Sequence, residues 1–178
     1  MPPRHPVQWL ISDPRLGNLL KVVRELPQGT GILLRHHHLP AAERRLLLRK
    51  VRRVVVAKRL VVIDEAKGEV ARVHDLGELR RAKLSGARLI FLSPLFPTRS
   101  HPEWSPLSHM RAAALARMGE RTLLALGGMD PRRFRQVRRL GFVGWGGIDG
   151  WHTPGSSTLL LDDSYAVAKS RSAAQFRT

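Results

Sequence analysis

Apolar and polar positions alternate in two rhythms along this 178-residue chain, and the switching between them predicts its elements. Short, continuously apolar runs predict strands at Val7–Ser12, Gly31–Leu34, Leu60–Ile63, Val70–Val73, Leu89–Leu92, Leu123–Leu126 and Phe142–Ile148. Between the first two, apolar residues recur at Leu16, Leu19, Leu20, Val23 and Leu26, the spacing of one helix face. Further helices are predicted from Pro40 to about Lys58, at Leu76–Ser85, His109–Met118 and Pro131–Leu140. Pro40 suits a first helical turn, where its missing donor costs nothing, and Gly86 terminates the third helix.

Strand and helix alternating over short links predict a parallel sheet with right-handed crossovers. Strands without polar alternation are expected to be covered on both faces. No G-x-G-x-x-G follows the first strand, so a dinucleotide-binding open sheet lacks its fingerprint, and an α/β fold of the (β/α) TIM-type barrel is favoured. One link breaks the pattern. Asp64 to Glu69 supplies about six residues, where a parallel crossover needs a dozen or more. Such a link suits an antiparallel hairpin, VVIDE-AKG-EVARV, turning at Gly68. The barrel is therefore expected to be shortened by about one strand–helix unit and irregular near residues 64–70. Residues 1–151 read as a single barrel domain, and 152–178 as a polar C-terminal tail, partly helical or mobile.

Composition changes the picture in three ways. Apolar residues at 43% and charged ones at 25% fit a folded globular chain and exclude a disordered one. No apolar run is long enough to span a membrane, and Asp13 and Arg15 interrupt the N-terminal one, so neither a signal peptide nor a membrane partner is expected. Cysteine is absent, which excludes disulfides and thiolate metal sites and makes the cytoplasm the simplest home. Charge matters more. With 31 Lys and Arg against 14 Asp and Glu, the net charge of +17 attracts anions: nucleic acid, acidic lipid headgroups or small phosphorylated substrates. The excess lies along helices, as at Arg132, Arg133, Arg135, Arg138 and Arg139, and reads as a wet outer face as readily as an RNA patch. One tyrosine and 6% aromatics offer few stacking platforms, so nucleic acid is not the favoured partner.

Two loops carry candidate chemistry. Ser93–Pro102 and Leu126–Met129 each follow a strand, and in a barrel both lie at the C-terminal face, where sites collect. Thr98 and Ser100 offer hydroxyls, His101 a cation when protonated, and Gly127 and Gly128 a close approach for backbone amides. The helix opened by Asp130 and Pro131 adds its positive end. Gly144, Gly146 and Gly147 in the last strand leave room for the same ligand. Together these residues make a phosphate cradle, although glycines also serve tight turns and packing. His36, His37 and His38 alternate sides of an extended chain, so all three cannot ligate one ion.

The stretches FLSPLFPTRSHP, LALGGM and GFVGWGGIDGW resemble corresponding stretches of thiamine phosphate synthases and their relatives, the thiazole tautomerases. VHDLGELRRAKLSGARLIFLSP is similar to the family's Ser-x-His-x-x-x-Glu helix, with His74, Glu78, Ala82, Gly86 and Ala87 at matching spacings. LISDPRL, GILLRHHH and VVIDE look like the first strand, the Gln-x-Arg-x-Lys strand and the Val-Asn-Asp strand. The likeness is specific over residues 70–151 and looser over 8–65.

The resemblance implies a divergent, shortened transferase of thiamine biosynthesis. It would couple a pyrimidine methyl diphosphate to a thiazole phosphate, release diphosphate, and use Mg²⁺. Carried across, Arg35 binds the diphosphate or pyrimidine and is catalytic, His37 stands at the lysine beside it, and Asp64 holds Mg²⁺. Thr98, Ser100 and His101 meet phosphate oxygens, Gly128 donates its amide to the thiazole phosphate beside Gly127, and Gly144 and Gly146 border the same ligand. The chain departs from the family where Leu33 replaces glutamine, His37 lysine, Ile63 asparagine and Arg72 serine, and where His101 replaces the lysine of Thr-x-x-Lys. The strand with a second Mg²⁺ aspartate falls in the missing unit. Two alternatives remain open: a thiazole tautomerase with His74 as acid and base, and a non-catalytic barrel that binds a phosphate ligand or RNA. Nothing in the sequence assigns an oligomeric state.

Overall fold

The structure, a computed structural model, describes residues 5–119 and 122–151. Seven strands form one parallel sheet: β1 Gln8–Ile11, β2 Gly31–Leu34, β3 Val61–Asp64, β4 Val70–Val73, β5 Leu89–Leu92, β6 Leu123–Ala125 and β7 Gly144–Gly147. Their order is β3-β2-β1-β7-β6-β5-β4, as in a (β/α) barrel, and β3 and β4 are left as its two edges. Five helices connect them: α1 Leu19–Glu25, α2 Ala41–Lys58, α3 Leu76–Leu84, α4 His109–Met118 and α5 Pro131–Val137.

Side chains alternate along each strand, so the sheet has two apolar faces. Outward residues Leu10, Ile32 and Leu34 pack with Leu19, Val23, Val51 and Val55 of α1 and α2. Ile90, Leu92, Leu123 and Ala125 pack with Leu79, Ala112, Leu115, Phe134 and Val137 of α3, α4 and α5. The other face carries Trp9, Ile11, Leu33, Leu89, Phe91 and Leu124, and these six bury one another with no helix over them among the described residues. A flat sheet could not do this; the sheet curls until β1 and β2 meet β5 and β6. It is an incomplete barrel with a filled interior.

The expected hairpin at Gly68 is overturned. β3 pairs in parallel with β2 alone and β4 in parallel with β5 alone, Leu34 opposite Asp64 and Val70 opposite Leu89. The expectation rested on the length of a crossover that carries a helix. Strands of four residues are about 13 Å long. A short 3-10 turn at Glu65–Lys67, reversed by Gly68 at φ 73°, is enough to return the chain. The irregularity lies where it was expected, as an open seam between β3 and β4.

Other differences are local. The helix expected over 16–26 breaks at Gly17, φ 60°, into a 3-10 turn and α1. Pro40 stands before α2 as its cap rather than inside its first turn. The helix expected to reach Leu140 ends at Val137 and closes with a 3-10 turn. Asn18, Asp75, Ser108 and Asp130 cap α1, α3, α4 and α5 through side-chain oxygens. Among the described residues no helix is long and apolar enough to cross a membrane. The tail expected at 152–178 lies outside the described residues.

Candidate functional site

Strand parity selects the first group of site residues. Leu33, Ile63 and Val70 face the barrel interior, so Arg35, Glu65 and Arg72, each two residues further on, stand on the same side toward the strand C-terminal ends. Arg72 is also directly opposite the inward Phe91. The three meet. The Glu65 carboxylate lies 3.4 Å from Nε of Arg35 and 3.4 Å from Nε of Arg72. His37 contacts the same carboxylate. Burial lowers the pKa of Arg72, as does the neighbouring charge of Arg35, while Glu65 opposes both. One carboxylate between two guanidiniums leaves a surplus positive charge at the mouth, on the open seam.

The two loops form the opposite wall. Leu95 donates its amide to the Leu126 carbonyl at 2.9 Å and Phe96 to the Gly127 carbonyl at 3.1 Å, so the loop bearing Thr98 lies directly on the Gly127–Gly128 turn. Gly127 and Gly128 have φ of 89° and 59°, which side chains adopt only under strain. A Cβ at Gly127 would also stand 2.8 Å from Pro94 Cα, and one at Gly128 would run into the Pro97 carbonyl. Arg133 pins the turn, donating to the Gly128 carbonyl with its guanidinium 5.1 Å from the centre of the Phe96 ring. It thus turns away from the arginine run in which the sequence places it, toward the turn. The amides of Gly127 and Gly128 donate to no other group among the described residues. Asp130 caps α5 by accepting from Arg133 N, so a carboxylate already sits at that helix start.

Ser100 accepts from Arg15 Nη2 at 2.7 Å, and Arg15 Nε donates to Asp13 at 2.9 Å, which ties the end of β1 to this loop. Burial works to raise the Asp13 pKa, but the hydrogen bonds and charge of Arg15, with the field of Arg35, outweigh it and hold it below the usual value. Thr98 Oγ1 accepts from Ser100 N at 3.4 Å. His101 stacks on Trp104 at 4.2 Å and its Nδ1 is 3.3 Å from Glu103.

His74 follows β4 at the same rim. Glu78 Oε2 accepts from the His74 amide at 2.7 Å and lies 2.9 Å from ring Nδ1. The carboxylate belongs to the capped first turn of α3, where Asp75 accepts from Glu78 N. Nδ1 is the ring nitrogen that this carboxylate engages. Trp104 packs edge-on against the ring, centroids 4.9 Å apart. His74, Trp104 and His101 form an aromatic run joining the end of β4 to the loop after β5.

The remaining histidines separate. His36 Nδ1 pairs with Ser12 Oγ at 2.9 Å, and the same oxygen accepts from Arg35 N at 2.8 Å. His38 lies against the His36 ring at 5.3 Å. Asp64 does not fit Mg²⁺. Its Oδ1 accepts from Arg44 of α2 and from Ala66 N, so a guanidinium occupies the carboxylate. Among the described residues no three His, Asp or Glu side chains gather to hold a metal ion. The openings at two glycines are filled from within the barrel. A Cβ at Gly146 would stand 2.9 Å from Phe91 and 3.0 Å from Ile11, and one at Gly144 would meet Val7 and Leu124. Gly147 adjoins the turn instead, 2.8 Å from the Met129 carbonyl by the same construction.

The sequence reading assigned no role to Arg15, Arg44, Glu65, Arg72 or Trp104. Parity could have found two of them, since Ile63–Glu65 and Val70–Arg72 repeat the step from Leu33 to Arg35. Nothing local marks Arg44, whose partner Asp64 is distant in sequence, or the bond from Arg15 to the equally distant Ser100.

A family model for thiamine monophosphate synthase matches residues 70–150. The fold is similar to that of a thiamine phosphate pyrophosphorylase from Pyrococcus furiosus, with a TM-score of 0.69 and 19% identity, over 80% of this chain and 85% of that one. It is also similar to a thiamine phosphate pyrophosphorylase from Bacteroides thetaiotaomicron, with a TM-score of 0.56 and 14% identity, over 97% and 98%. No curated protein matches the chain.

Proposed function

We propose, on the premise that residues 70–150 make this chain a member of the thiamine monophosphate synthase family, that it couples a pyrimidine methyl diphosphate to a thiazole phosphate. The observation that carries this reading is the convergence of the Thr98 loop on the Gly127–Gly128 turn, whose amides donate to no group among the described residues. Backbone donors fixed in that way suit a phosphate ester. They would hold the thiazole while its ring nitrogen attacks the pyrimidine methylene carbon. The carbon–oxygen bond to diphosphate breaks, and its electron pair leaves with the diphosphate. Arg35 takes up the developing charge, which is the main demand of such a step. Because Asp64 is held by Arg44, no step here is routed through Mg²⁺.

Incubation with both phosphorylated precursors tests the reading, with pyrophosphate and thiamine phosphate as readouts. Both products should form in equal amounts, and Arg35→Ala should slow them about 100-fold. Absence of either product from the parent protein sinks it.

One observation favours a second reading, the tautomerase. The Glu78 carboxylate, 2.9 Å from His74 Nδ1, fixes the orientation of the ring, as a proton shuttle requires. His74 Nε2 would take a proton from a carbon of the bound thiazole phosphate and return it at another. Deuterium from solvent should then enter the thiazole, and His74→Asn should abolish the exchange.

A further inference from the structure

The cations at the mouth are not engaged as an ordinary ion-pair network would engage them. Arg35 Nε is buried and has no hydrogen-bond partner among the described residues, although a Glu65 oxygen is only 3.4 Å away. The distance to Arg72 Nε is the same. At that length both contacts are ion pairs and neither is a charge-assisted hydrogen bond, which closes at about 2.7–2.9 Å. Glu65 thus offsets part of the charge of the two guanidiniums without a close hydrogen bond to either Nε. Leaving a buried charged donor unpaired is costly, and an oxyanion entering from the mouth would remove that cost. Arg72 stands where the resemblance expects serine, inward-facing on the strand that borders the open seam. The carboxylate expected to carry a metal is meanwhile taken by Arg44.

We propose that guanidinium replaces the divalent cation in this barrel: Arg35 and Arg72 clamp a phosphate or diphosphate oxyanion directly, and Glu65 is the internal carboxylate that this anion displaces. Arg44 keeps Asp64 from recruiting a metal. The ligand then binds without Mg²⁺, and Glu65 sets its affinity by competing for the same donors. This deepens the coupling reading by naming how the diphosphate is held. It stands apart from that reading in its test, which needs binding and no turnover.

Titration calorimetry with inorganic pyrophosphate in excess EDTA provides the test, with thermal unfolding to confirm that each variant is folded. The parent should bind in EDTA. Arg72→Ala should weaken binding about 10–100-fold, and Glu65→Gln should tighten it about two- to fivefold. Opposite signs from two residues of one ion pair exclude a general loss of structure. Binding that appears only when Mg²⁺ replaces EDTA overturns the proposal. Arg72→Ala binding as tightly as the parent, or Glu65→Gln binding more weakly, also overturns it. Failure of the coupling assay with pyrophosphate binding intact leaves the clamp standing and removes the activity alone.

Discussion

Trp9 of β1 and Phe91 of β5 meet edge to face inside the curled sheet, ring centroids 6.4 Å apart and planes at 87°. Both are fully buried, and Gly146 beside them gives Phe91 its space. The contact joins strands that are not neighbours in the sheet, so it holds the curl rather than any one pairing. Phe91→Ala should cost about 3–5 kcal/mol of stability. Gly146→Ala should cost about 1–3 kcal/mol by overpacking. Guanidinium unfolding monitored by tryptophan fluorescence measures both, and an unchanged midpoint for Phe91→Ala would rule out a packed interior.

Gly127 is expected to tolerate no side chain. Its φ of 89° is strained for alanine, and a Cβ would stand 2.8 Å from Pro94 Cα. Gly127→Ala should therefore move the turn off the loop that carries Thr98. Affinity for a thiazole phosphate should fall about tenfold or more, while Gly29→Ala, also at positive φ but remote from the mouth, should change stability alone. Calorimetric titration of the two variants separates a site effect from a fold effect.

His36 predicts a pH dependence of stability. Burial lowers its pKa below the ordinary 6.5, and the charge of His38 adds to this, while Asp13 opposes it. The unfolded chain therefore takes up a proton at a pH where the folded chain keeps the ring neutral. Stability should be full above about pH 6.5 and should fall as the pH drops toward the lowered folded value. His36→Gln should flatten the slope just below pH 6.5, as read from chemical unfolding across that range. An unchanged slope would mean that His36 titrates freely in the folded protein.

Much of the architecture was legible because strands and helices are written in local periods. Gly31–Leu34, Val70–Val73, Leu89–Leu92 and His109–Met118 appear at the bounds their apolar patterns predict. The two candidate loops were legible for the same reason: each follows a strand, and parallel strands place such loops at one end of the sheet. The link after Asp64 was misread, because a rule about crossover length says nothing of strands only four residues long. Its neighbour Glu65 carried no assigned role, and only the path of the seam brings it between Arg35 and Arg72.

Sequence by itself determined the order of elements, their two periods and the presence of two candidate loops at one rim, since these follow from local pattern and parallel connection. Tertiary structure alone decided that Arg44 takes Asp64, that Arg15 joins Asp13 to Ser100, and that Phe91 fills the space beside Gly146. Each of these is a meeting of residues far apart in the chain. Such meetings depend on how tightly the sheet curls and where it stays open, and no local pattern encodes either.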